Sequence, residues 1–128
     1  MLSHMLENKP ALFSVTAGVV IAILAVPVII PHVLHGYHMA HIALHIVGLT
    51  LALFLTVLSV ASYRRTRSRR LMISTLAFAC FAASEVALLI YAVWPFLDSI
   101  GILPIEELGH LLAFSALGLL AIAVFRND

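Results

Sequence analysis

Four apolar stretches, each long enough to cross a bilayer as a helix, occupy nearly all of this 128-residue chain. A hydrocarbon core of about 30 Å takes about 20 residues of helix, and only helices and closed barrels satisfy every backbone polar group in lipid. The stretches run over residues 11–34, 37–63, 71–94 and 105–125, and none has the strict alternation of a barrel strand. Only 10% of residues are charged and 63% are hydrophobic, whereas a soluble domain carries roughly a quarter charged. The expected fold is therefore all-α: one integral-membrane domain over residues 1–128, an up-down four-helix bundle whose short links make consecutive helices antiparallel. The first stretch follows Lys9 as a secretory signal follows its basic residue, but it exceeds the roughly 7–15 residues of a signal core and reads as a retained helix.

Lys9, Arg64, Arg65, Arg67, Arg69, Arg70 and Arg126 all fall on one side of this map. The positive-inside rule then places both termini and the arginine connector 64–70 in the cytoplasm, with the links near Gly36 and over 95–104 outside a plasma membrane. The arginines read as a topology anchor or, more sharply, as a contact for anionic lipid. Seven basic residues against six acidic ones are too few to track a nucleic-acid backbone, so the partners expected are the lipid bilayer and other membrane subunits or copies of the chain. A single cysteine, Cys80, excludes a disulfide framework and thiolate-rich metal sites within the chain. Pro27 and Pro31 each remove a backbone donor from the first span and can bend it.

His32, His35, His38, His41, His45 and His110 map to the end opposite the arginines, and only His4 lies elsewhere. His38, His41 and His45 share an arc of roughly 60° on the second helix. That face continues through Gly48, Ala52, Thr56 and Ser59, while Leu44, Leu51, Leu55 and Leu58 take the other side. Small residues mark helix contacts in membranes and leucines suit lipid, so the histidines should point inward. Glu106 and Glu107 precede His110 by four and three residues, on a face that continues through Ala113, Leu117 and Ala121. Glu85, deep in the third span, matches His45 and His110 in depth, where an ionisable group is costly unless paired, protonated or lining a cavity.

These residues lead to a transition-metal site near the extracytoplasmic face, with His41, His45, Glu85 and His110 as ligands and His38, Glu106 and Glu107 as alternates or supports. His32 and His35 would deliver metal or cap the site. Imidazole and carboxylate suit zinc, copper or iron. The alternative is haem b held by His45 and His110 beside Gly48 and Gly109, for electron transfer or sensing. Asp98, Glu85, Glu106 and Glu107, with no outer lysine or arginine for haem propionates, favour the metal ion. A proton pathway lacks an inner relay, since only Cys80, Thr56, Ser59 and Thr75 lie below. Ser84, Ser99 and Ser115 have no activating neighbour, although a metal-activated water with Glu85 or Glu106 as base leaves enzymatic activity open. A further alternative is a non-catalytic subunit of a larger membrane complex, with Phe78, Phe81, Tyr91, Trp94 and Phe96 as packing or interfacial residues.

The run Tyr63-Arg64-Arg65-Thr66-Arg67-Ser68-Arg69-Arg70, followed by an Ala/Leu-rich span with a late glutamate and a last span opening near histidine, resembles small uncharacterised archaeal multi-span membrane proteins. The resemblance covers about residues 41–126 and implies four spans in a prokaryotic plasma membrane, with no activity attached.

Overall fold

The computed structural model describes residues 7–33, 36–100 and 102–126. Its four long helices are α1 (Lys9–His32), α2 (Gly36–Thr66), α3 (Arg69–Val93) and α4 (Ile105–Phe125). Each contains a stretch long and apolar enough to cross a membrane, the mark of a multi-pass membrane protein.

Local chemistry accounts for the helix ends. Asn8 Oδ1 accepts the Ala11 N–H at 3.2 Å, and Pro10 sits in the first turn of α1, where a missing donor costs nothing. Farther along, Pro27 cannot supply its backbone donor, and the helix widens around it. Ala25–Ile29 forms a π turn closed by the Ile30 N–H on the Ala25 carbonyl, followed by a short α-helical segment at Ile30–His32. Between α2 and α3, Arg67 adopts a left-handed φ of 55°, a role usually given to glycine or asparagine. Its N–H donates to the Tyr63 carbonyl at 2.8 Å, and its guanidinium lies 5.9 Å from the Tyr63 ring centroid. The link before α4 holds a short antiparallel ladder of β1 (Ser99–Ile100) and β2 (Leu103–Pro104), which hydropathy alone does not anticipate.

Neighbouring helices run antiparallel. Phe13 meets Phe54 edge-on with ring centroids 5.3 Å apart, and Val28 meets Ile42 near the other end of the same interface. Ser59 and Thr75 hydroxyls, 2.8 Å apart, and His38 with the Ala92 carbonyl set α2 against α3. Ser84 donates to the Gly109 carbonyl at 2.7 Å, and the Tyr91 hydroxyl lies beside Glu106, which sets α3 against α4. The principal interfaces are α1 with α2, α2 with α3 and α3 with α4. Helix α4 therefore packs along α3 and leaves α2 largely uncovered on that side.

Two apolar clusters join the first three helices, one around Val20, Leu49, Ala52 and Ala82, the other around Val28, Ile42, Leu89 and Val93. Helix α4 instead presents Ile105, Gly109, Ala116 and Ala123 as its buried residues. Lipid tails are as apolar as leucine, so close packing and interhelical hydrogen bonds hold such helices together more than exclusion of water. The abundance of Ala and Gly at these contacts fits that requirement. Large side chains such as Val26, Ile30, Phe114 and Phe125 face outward, as a lipid-facing surface demands.

Candidate functional site

Helix α2 keeps only part of the division of faces expected from its sequence. Of His38, His41 and His45 only His45 is turned inward, the other two staying exposed toward the helix end, and Leu58 is half-buried. Ala52 and Ser59 are buried and Gly48 lies against α3, whereas Leu44, Leu51 and Leu55 are exposed. Opposite, Glu85 lies eight residues before Val93, which is about 12 Å along the helix axis. The two helices bring an imidazole and a carboxylate together there. His45 Nδ1 donates to Glu85 Oε2 at 2.9 Å, with the His45 and Glu85 side chains only 15% and 13% exposed.

Gly48 makes this approach feasible. A Cβ at that position would lie 2.7 Å from Glu85 Cδ and 2.8 and 2.9 Å from its two oxygens. The carboxylate thus rests on a residue without a side chain, one turn from the imidazole it accepts from.

The other ring nitrogen of His45 faces His41. Their Nε2 atoms are 3.3 Å apart, with ring centroids 4.7 Å apart and ring planes at 87°. One turn of helix provides this pairing, because residues four apart lie above one another on a face. The result is a polar chain from Glu85 through His45 to His41, running from a nearly enclosed carboxylate to an exposed imidazole.

The remaining sequence candidates lie elsewhere. His38 donates from Nε2 to the Ala92 carbonyl at 2.9 Å, tying α2 to the end of α3. His32 donates from Nδ1 to the Val28 carbonyl at 2.8 Å, and its ring stacks near His38 with centroids 6.0 Å apart. His110 is 59% exposed by side chain and lies 3.9 Å from Glu106 Oε1; Glu106 and Glu107 are also exposed. The face of α4 expected to continue from His110 is not its packed one, since Leu117 and Ala121 are exposed while Gly109 and Ala116 are buried. His4 and His35 lie outside the described residues.

Among the described residues, no group of three or more His, Cys, Asp or Glu side chains is arranged to hold a metal ion. The structure therefore joins His41, His45 and Glu85 through hydrogen bonds, and His110 with Glu106 forms a separate exposed pair. Sequence reasoning missed the role of Gly48 as a bed for the carboxylate. Its signal was a glycine on the histidine face, one turn below His45. It also missed the Ser84 hydroxyl, fully buried against the Gly109 carbonyl.

Chemically, the chain can bind a cation at the paired Nε2 atoms or hold a proton between them, with Glu85 fixing the ring of His45. No protein-family model, curated protein or solved structure matches this chain.

Proposed function

We propose that this is a multi-pass protein of a prokaryotic plasma membrane that binds a divalent transition-metal ion through His41 and His45 on the extracytoplasmic side. The observation carrying the reading is the 3.3 Å separation of the two Nε2 atoms, with Glu85 on the other nitrogen of His45. Zinc–nitrogen bonds of about 2.0–2.1 Å at tetrahedral angles put neighbouring ligands about 3.3–3.4 Å apart. The pair therefore has the span of one edge of a zinc tetrahedron.

Glu85 is a positioning residue in this reading. By accepting the Nδ1 hydrogen it leaves the Nε2 lone pair of His45 for the metal and restrains the ring. The hydrogen between the two imidazoles must leave that edge when metal enters, so protons and metal compete. His110, Glu106, Glu107 and His38 remain supporting or alternative ligands, able to join only by movement from the contacts described above. The same geometry weighs against haem b on His45 and His110, because His45 directs Nε2 toward His41. Orientation follows from the lysine and arginine positions, which put the arginine end and both termini in the cytoplasm.

The test is elemental analysis and zinc titration of the full chain in lipid nanodiscs, with a visible spectrum on the same sample. Wild type should bind zinc, His41→Gln and His45→Gln should lose it, and no Soret band should be present. Equal zinc binding by wild type and both variants, or stoichiometric haem in place of metal, overturns the reading.

A further inference from the structure

We infer that the metal ion is shared between two copies of this chain, each supplying His41 and His45. The inference rests on the proposed metal site and identifies what completes it. One chain supplies two imidazole nitrogens at the right separation, and no third His, Cys, Asp or Glu among the described residues completes a ligand group. A closed zinc site takes four ligands. Two copies of this pair supply four.

Charge leads to the same stoichiometry. A divalent cation bound by neutral imidazoles keeps its +2 charge, and one Glu85 carboxylate would leave +1 in apolar surroundings. Two carboxylates, one behind each His45, balance the ion. Uncompensated charge is expensive in such surroundings, which favours the paired arrangement.

The surface geometry also fits a second copy. His41 is exposed, and α2 is not packed against α4 as a principal interface. His41, Leu44, Leu51 and Leu55 are exposed positions of α2 at intervals of three, seven and four residues, which fit the heptad spacing of a left-handed helix pair. Leu44, Leu51 and Leu55 are exposed, while Gly48 between them is taken up by Glu85 of the same chain. A two-fold axis along the membrane normal keeps each residue at its own depth, so His41 of one copy meets its counterpart without displacing either helix bundle.

The experiment measures zinc stoichiometry and oligomeric state together, using the full chain in detergent by light scattering, with and without EDTA. One zinc per two chains and a zinc-dependent dimer are expected, and His41→Gln should lose both. Disulfide crosslinking of Leu44→Cys in a Cys80→Ser background provides a readout independent of ligand variants, with zinc expected to accelerate it about tenfold. A monomer binding one zinc per chain overturns the shared ion while leaving the metal site standing. Zinc-independent crosslinking also overturns the shared ion. Absence of zinc binding by wild type defeats both readings.

Discussion

Gly48 occupies a position where any side chain would meet the Glu85 carboxylate, its Cβ falling 2.7 Å from Cδ. The obstacle is the flexible end of a glutamate, so Gly48→Ala should leave the helices assembled and push the carboxylate off His45. The expected result is about a tenfold loss of zinc affinity, in the range seen when an orienting partner of a metal ligand is removed. Zinc titration with circular dichroism as the folding control checks it. Glu85→Gln tests the same link by removing charge at nearly constant shape, and should weaken zinc roughly 10–100-fold. An unchanged affinity would show that the ring of His45 needs no orienting partner. For both proteins zinc binding should weaken on acidification, because imidazole binds metal only when that nitrogen is unprotonated. At this scale the sequence was informative about His45 and Glu85, since depth can be counted along a helix. His110 was harder to place because Gly109, its neighbour, is the residue turned to α3.

Helices meet through small residues, and α4 shows the consequence. At Gly109 a Cβ would come within 2.7 Å of Leu88 Cγ, while its carbonyl receives the buried Ser84 hydroxyl. Gly109→Leu should therefore separate α3 from α4 and destabilise the protein by about 1–3 kcal/mol, the usual range for overpacking. Ser84→Ala removes the hydrogen bond without adding bulk, and should cost about 0.6 kcal/mol, up to about 1.7. Reversible unfolding in mixed micelles distinguishes the two. In the α2–α3 turn, Arg67→Gly should stabilise by about 1 kcal/mol by removing the left-handed backbone cost of a side-chain-bearing residue. A lower stability instead would show that the Arg67–Tyr63 contact outweighs that cost. The Pro10 start of α1 was legible from local sequence, as was disruption near Pro27. The form of that disruption, a π turn rather than a break, depends on how the chain recovers its hydrogen bonds and was not.

At the scale of the whole molecule, all lysines and arginines cluster at one end and most histidines at the other. In the proposed orientation, a cysteine at Leu97 in a Cys80→Ser background should react with an impermeant maleimide on intact cells. One at Ser68 should react only after the membrane is opened. The reverse pattern would move the metal site to the cytoplasmic side.

The sequence by itself determined the four apolar helices, their approximate ends and the shared face of His38, His41 and His45, because hydropathy and helical periodicity are local properties. Only tertiary structure decided that Glu85 faces His45 and that α4 turns Gly109, rather than His110, toward α3. A helix's rotation about its own axis is set by which neighbouring surface can accept its small residues, and that choice requires both helices at once.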